Sequence, residues 1–288
     1  MEIRILKTFL GVAECGSISR AAERLHTVQS NVTARIKRLE SELGVDLFYR
    51  RSQGLELTPA GEVLQGYARR VLQLLDEARQ VVTDPDGATG RLRLGTLETT
   101  LAARLPPVLA RFRRAYPSIE LVLETGSTEE LMERVLTYQL EGAFVAGVCD
   151  RPELDQQPVF AERLVLASEA TRESIDSLRD EVLLVFRPGC AYRARAELWL
   201  LEEGHLPVRR MEFGSLDAIL GCVAAGLGVT LLPAAVVDRP PYCGLLRLHP
   251  IPERYSHLPT RFVYRRDVMP PPALRALLAF AGAEPETQ

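Results

Sequence analysis

Apolar positions recur at helical spacing through the first sixty residues. Ile3, Ile5, Leu6, Phe9, Leu10 and Ala13 outline one helix, broken at Gly16-Ser17. Ile18, Ala21, Ala22 and Leu25 outline a second, short one. Thr27 is placed to cap a third, in which Val32, Ile36, Leu39 and Leu43 turn inward and Gly44 closes the last turn. The segment DLFYRRSQGLELT then alternates around Gln53-Gly54, which predicts a small β-hairpin. Thr58-Pro59 opens a longer helix, with threonine as N-cap and proline at the first helical position. Along it Leu64, Tyr67, Val71, Leu74, Ala78 and Val81 recur near 3.5 spacing to about residue 82. So narrow a seam suits a partner helix, and hence a dimer; packing on its own domain is the alternative.

Asp84-Pro85-Asp86-Gly87 is turn chemistry, which places a linker near residues 83–90. Beyond it strands alternate with helices. LRLGT, IELVLET, GAFVAG, RLVLAS, VLLVF, MEF, VTLL and TRFVYR read as strands. The stretches 101–116, 128–137, 192–203, 216–225 and 272–282 read as helices. This alternation predicts parallel sheets covered on both faces, in two lobes that divide near residues 161–163. Residues 218–237 are uncharged and long enough to tempt a transmembrane assignment. Gly221, Gly226, Gly228, Thr230 and Pro233 interrupt them, so a buried helix followed by a buried strand fits better. The expected domains are 1–60, a dimerising helix and hinge at 61–90, and a two-lobed domain at 91–288. Its first lobe would hold about 91–162 with 266–288, and its second about 163–265.

Composition narrows the function. With 288 residues, 47% apolar and 25% charged, the chain is neither disordered nor fibrous and has room for two domains. A net charge of −3 means that any nucleic-acid site must be a local patch. The five cysteines form no CxxC, so no zinc site or disulfide framework is expected. The four histidines have no ligand-spaced partners, and no metal or cofactor is expected. The first residues carry charges inside any apolar run, unlike a signal peptide, so a cytoplasmic protein without a membrane partner is expected.

The one dense basic cluster is Arg35, Lys37, Arg38, Arg50 and Arg51. With the third helix packed inward, Ser30, Asn31, Thr33, Ala34 and Lys37 face outward, flanked by Arg35 and Arg38. Small hydroxyl and amide groups near a helix N-terminus suit base edges and phosphates in a major groove, and cations beside them suit the duplex backbone. The plain alternative is a solvated helical face with a basic rim.

The run AAERLHTVQSNVTARIKRLESELGVDLFYRRSQGLELTPAGEVL resembles the N-terminal signature of LysR-type transcriptional regulators. Ala21-Ala22, Leu25, Gln29-Ser30, Ile36, Leu39-Glu40, Leu43-Gly44, Leu47-Phe48, Arg50 and Leu57-Thr58-Pro59-Ala60-Gly61 carry the resemblance. LPPVLARFRRAYPSIELVLETGST and AAGLGVTLLP resemble the family's effector domain. The resemblance implies an α+β multidomain protein: a winged helix-turn-helix, a long linker helix and a two-lobed α/β domain like type 2 periplasmic binding proteins. It implies promoter DNA bound by a dimer of dimers, RNA polymerase as a partner, and a small-molecule effector between the lobes. Gln29, Ser30, Thr33 and Arg35 would then lie at the groove and Arg50 and Arg51 on the wing. Many relatives have a basic residue and then glutamine where this chain has Ala34-Arg35, so base preference does not carry over.

For the effector, helix starts at the carboxyl ends of strands offer hydroxyls and backbone N–H groups. Thr99 and Thr100 follow LRLGT, Ser127 and Thr128 follow IELVLET, and Ser215 and Asp217 follow MEF. Simple helix capping explains each of them equally well. Thr99, Thr100 and Ser127 also match positions that line the family's primary effector site. Such groups fit a carboxylate, a phosphate or a sulfur oxyanion alike.

Cys190, at a strand-to-helix junction near Arg193, is expected to have a lowered pKa. In the peroxide-sensing members of the family a reactive cysteine occupies a comparable segment. A thiol-redox regulator is therefore one alternative, although the next cysteine, Cys222, lies in an apolar helix. The plainer reading makes Cys190 a small side chain in the cleft wall. A binding protein or enzyme with a vestigial DNA-binding domain is another alternative. Ser168 and Asp217 with a histidine could be written as a triad, but no nucleophile elbow accompanies them, and no catalysis is expected.

Overall fold

The computed structural model describes residues 1–51, 54–83, 89–174, 181–205 and 209–282. The expected turn at Gln53, the linker at 84–88 and the last residues of the effector domain, 283–288, lie outside them, as does the side chain of Val81. The chain divides into two compact units, the first holding six elements and the second all later ones.

The first unit comprises α1 (Ile3–Cys15), α2 (Ile18–Arg24), α3 (Gln29–Leu43), β1 (Phe48–Arg51), β2 (Gly54–Leu57) and α4 (Pro59–Thr83). Ile5, Leu6, Phe9, Ala21, Ala22, Val32, Ile36 and Leu39 form its core, closed by Leu47, Phe48 and Ala68. The rings of Phe9 and Phe48 meet at 5.4 Å, joining α1 to the hairpin. Gly16 and Gly44 end α1 and α3 in the left-handed region, as helix C-termini commonly do. Thr58 caps α4: its Oγ1 accepts the Gly61 N–H at 3.0 Å and donates to the Asp46 carbonyl at 2.8 Å.

Two expectations fail here. The N-cap of α3 is Val28, not Thr27, and no side chain caps it. Thr27 Oγ1 accepts instead from the Asn31 side-chain amide at 3.3 Å. Leu43 is 41% exposed, because it is the last residue of the helix, beyond the reach of its core face.

The second unit holds two lobes. In the first lie β3 (Gly90–Thr96), α5 (Glu98–Ala103), α6 (Leu105–Ala115), β4 (Ile119–Thr125), α7 (Thr128–Leu136), β5 (Gly142–Ala146) and β6 (Leu154–Phe160). The second is built from β7 (Leu164–Glu169), β8 (Val182–Phe186), α8 (Ala191–Glu202), β9 (Arg209–Phe213), α9 (Leu216–Ala224), β10 (Thr230–Pro233), α10 (Ala234–Val237), β11 (Leu246–His249) and α11 (Glu253–Ser256). The chain then returns with β12 (Thr260–Arg265) and α12 (Pro272–Gly282).

The first sheet has the order β4-β3-β5-β12-β6. β3 runs parallel to β4 and β5, while β12 is antiparallel to β5 and β6. In the second lobe β8 and β9 are parallel and β7 pairs antiparallel with β10 and β11. Backbone bonds between Val229 and both Val182 and Leu184 join the two groups. The sheets are thus mixed rather than parallel. Because β12 completes the first sheet, residues 260–265 belong to the first lobe and not, as the sequence suggests, to the second.

The helix expected at 101–116 is two, broken at Arg104. Pro106 and Pro107 have no N–H to continue the ladder, and they start α6 instead. At the first crossing between lobes, Arg104 grips the nearly buried carboxylate of Glu162 with two bonds of 2.9 and 3.0 Å. The uncharged stretch 218–237 is most of α9, the left-handed Gly226, β10 and α10, buried or half-buried except at its first residue, at Gly221 and at Ala225–Leu227. No described helix is long and apolar enough to cross a membrane.

Candidate functional site

Two places concentrate the sequence candidates. The first is the outer face of α3 with the β1-β2 hairpin. Gln29, Ser30 and Asn31 are exposed on the first turn, whose backbone N–H groups carry no side-chain cap. An uncapped helix start is a place for a phosphate or a base edge. Thr33 is half-buried and Lys37 exposed.

The arginines are more engaged than the sequence implies. Arg35 is half-buried and its Nη1 donates to Thr8 Oγ1 at 3.2 Å, which ties α3 to α1. Arg38 pairs with Glu2 at 2.9 Å. On the hairpin Arg51 pairs with Glu56 at 2.6 Å and lies over the Tyr49 ring, while Arg50 is exposed beside it. These exposed pairs are weak and exchange readily for phosphate contacts.

The second place is a cavity of about 200 Å³ between the lobes. Its walls come from the carboxyl ends of four strands. Leu97, Glu98 and Thr99 follow β3, and Thr125, Gly126 and Ser127 follow β4, with Glu130 one turn into α7. From the second lobe come Phe186, Arg187 and Pro188 after β8, Cys190 and Tyr192 at the start of α8, and Phe213 and Gly214 after β9. Parallel strand ends with helices starting from them make such a crevice a natural ligand site.

Polar contacts cross it. Thr99 Oγ1 and the Tyr192 hydroxyl are 3.2 Å apart, and burial holds that hydroxyl far above its ordinary range, so it stays protonated. Glu98 Oε1 accepts the Leu216 N–H at 3.1 Å, capping α9 of the opposite lobe. Ser127 and Glu130 form a capping box on α7: Ser127 N–H to Glu130 Oε2 at 2.9 Å, and Glu130 N–H to Ser127 Oγ at 3.3 Å. The Ser127 backbone N–H chiefly, with its hydroxyl, holds the Glu130 carboxyl below the usual range, so it is ionised. At Gly189, φ is +88° and a Cβ would lie 3.0 Å from Ser127 Oγ, so the lobes approach here as only glycine permits.

Of the sequence candidates, Thr99, Ser127 and Cys190 line the cavity. Thr100, Thr128, Ser215 and Asp217 do not. Thr100 is buried, with its hydroxyl unpaired among the described residues. Thr128 Oγ1 accepts the Ala146 N–H at 3.4 Å, turning toward β5. Ser215 starts α9 without a side-chain cap bond, and Asp217 is held outside by Arg239 and Tyr242. Cys190 reverses its expectation: burial is the largest influence and pushes the thiol above its ordinary pKa, outweighing the N–H groups of Arg193 and Tyr192. Among what the sequence reading missed are Glu130, Arg187, Tyr192, Phe186 and Phe213. The S-x-x-E spacing from Ser127 to Glu130 was a legible signal; the others needed the topology.

The description "LysR substrate binding domain" matches residues 85–285, and "Bacterial regulatory helix-turn-helix protein, lysR family" matches 3–62. The chain belongs to the LysR family. It is 44% identical over 281 residues to the HTH-type transcriptional regulator GltR of Bacillus subtilis, covering 96% of this chain and 95% of that one. To the regulator SoxR of an Arthrobacter strain it is 42% identical over 287 residues, covering 100% and 99%. Among solved structures, a full-length OxyR cysteine-to-aspartate variant from Pseudomonas aeruginosa superposes with a TM-score of 0.78 at 25% identity, covering 98% of this chain and 95% of that one. CbnR complexed with its target DNA gives 0.68 at 26%, covering 98% and 99%. The LysR chain is a DNA-binding transcriptional regulator by family.

One enzyme-like pair stands out in this LysR chain. Ser168 Oγ lies 2.8 Å from His249 Nε2. No described carboxylate orients that imidazole, Ser168 is buried within β7, and Asp217 is engaged elsewhere. Burial, then Arg247 and Arg172, lower the His249 pKa.

Proposed function

We propose that this regulator binds promoter DNA in the cytoplasm as a dimer of dimers and answers to a small molecule held between its lobes. The observation that carries the DNA contact is the exposed, uncapped first turn of α3, with Gln29, Ser30 and Asn31 on it and Lys37 and Arg50 exposed nearby. One such helix per half-site would enter the major groove, with Arg35, Arg38 and Arg51 trading their present partners for the duplex backbone. The likeness to CbnR, solved in complex with its target DNA, supports the same partner.

Pairing through α4 is supported by its seam. Tyr67, Val71, Leu74 and Ala78 are all exposed, whereas Ala68 on another face is buried in the first unit's core. An effector in the cavity would shift the relative placement of the dimers, and so their contact with RNA polymerase, only by its difference in affinity between lobe arrangements. A thiol switch at Cys190 has the buried, protonated thiol against it. The test is sedimentation of the protein with a labelled fragment from upstream of its own gene. Four protomers per fragment are expected; two or one would contradict the dimer of dimers.

A further inference from the structure

The cavity's charges say more about the ligand than its hydroxyls do. Among the described residues Arg187 is the one cation in its lining, on the lobe opposite two carboxylates, Glu98 and Glu130. Arg187 is exposed, has no hydrogen bond or ion pair among the described residues, and lies over Gly214, where a Cβ would meet its Nη2 at 3.5 Å. Both carboxylates bond to neutral groups, Glu98 to the Leu216 N–H and Glu130 to the N–H and hydroxyl of Ser127, while Arg187 and Arg134 act on Glu130 through space without an ion-pair contact. The rest of the wall mixes apolar groups, Phe186 and Phe213 from one lobe and Leu97 from the other, with the hydroxyls of Thr99, Thr125, Ser127 and Tyr192.

Resting on the effector reading of this cleft, we propose that the ligand is a small zwitterion of the amino-acid class with an apolar side chain. Its carboxylate pairs with Arg187 and its ammonium with Glu98 and Glu130, while its side chain lies against Phe186 and Phe213. A dianion would satisfy Arg187 once and meet two like charges with the rest of its body. A simple amine would leave Arg187 without a ligand partner, and a neutral molecule would pair with none of the three charges. A volume near 200 Å³ admits a single amino acid.

The arrangement also gives the ligand a way to act. Glu98 and Glu130 stand on the first lobe and Arg187 on the second, so one molecule spans the cleft and favours the arrangement in which both ends are met.

The test is thermal shift and calorimetry of the full-length protein with each of the twenty L-amino acids. Every binder is followed by its deaminated and decarboxylated analogues, and four- to six-carbon dicarboxylates complete the panel. An apolar amino acid should bind, and loss of either charged group should weaken it about 10- to 100-fold. Arg187→Met should do the same. Glu98→Gln and Glu130→Gln keep an oxygen for the Leu216 and Ser127 N–H groups and remove only charge. Glu98→Gln should therefore weaken the amino acid without lowering the melting temperature of the unliganded protein, whereas Glu130→Gln should weaken it and also lower that temperature, because the fold favours the ionised Glu130 carboxyl. Absence of binding by every amino acid overturns the proposal, and so does a bound amino acid indifferent to these three substitutions. A dicarboxylate that binds wild type but not Thr99→Val overturns it too, yet leaves the cleft as the effector site. Failure to bind DNA would strike the regulator reading instead, whatever the ligand panel gives.

Discussion

Two glycines of α4, five residues apart, should respond to the same substitution with opposite signs. A Cβ on Gly61 would lie 2.3 Å from the Leu47 carbonyl oxygen and 2.9 Å from Leu57 Cδ2. That carbonyl already accepts the Thr58 N–H at 3.0 Å, so it is fixed on both sides. Relief needs a shift of roughly 1 Å between α4 and the segment leading into β1. Overpacking costs about 1–3 kcal/mol, and a clash this close with a fixed backbone oxygen falls in the upper half of that range, offset by ~1 kcal/mol of helix propensity. A net loss of about 1–2 kcal/mol lowers the melting temperature of a unit this size by roughly 4–16 °C. Gly66 has nothing within 4 Å of its Cβ position, so Gly66→Ala should gain up to ~1 kcal/mol and melt roughly 4–8 °C higher. Calorimetry of the full chain, following the transition of the first unit, reads both. Gly61→Ala should also weaken DNA binding, because the hairpin carrying Arg50 and Arg51 must move. A Gly61→Ala protein that melts at or above wild type, or a Gly66→Ala protein that falls as far, would refute the packing argument.

Three further outcomes are expected. Lys37→Ala should lower DNA affinity without changing the melting temperature, whereas Arg35→Ala should lower both, the second by about 0.5–1.5 kcal/mol for its bond to Thr8; anisotropy and melting curves check this, and equal melting losses for the two would contradict it. Leu74 is 64% exposed, and Leu74→Glu would remove about 1.5–3 kcal/mol from each half of a symmetric seam, weakening the dimer at least ~100-fold; light scattering at micromolar concentration should find monomer, and unchanged mass would remove the seam. Because the His249 pKa is lowered from 6.5 in the folded chain, the unfolded chain takes up the proton first as pH falls. Stability should therefore drop from about pH 6.5 downward to the folded value and level off below it, and His249→Gln should flatten that part of the curve of melting temperature against pH.

What was legible in the sequence was local. The apolar periods of α1 to α3 survive because each helix buries one stripe in a small core, whereas most of the period read on α4 is exposed and only Leu64 of it packs there. β6 escaped notice because Gln156, Gln157 and Pro158 disguise it, and its edge position is what tolerates the proline. β11 is only four residues long and carries Arg247 and His249 among its leucines. The cavity's charges were hidden for a different reason. Glu98 and Leu216 are 118 positions apart and meet only because the strand ends of two lobes converge. Cys190 was misread because a helix start and a nearby arginine are visible in sequence, while its burial is not.

The central claim is that α3 and its hairpin read a specific DNA site. It is tested most directly by measuring the affinity of the full-length protein for the DNA upstream of its own gene and for a shuffled fragment across a salt series. Preference for the upstream fragment that persists as salt rises, with parallel slopes of log K against log salt, is the predicted result. Equal affinities that vanish together with salt would mean phosphate attraction alone, and would contradict the account.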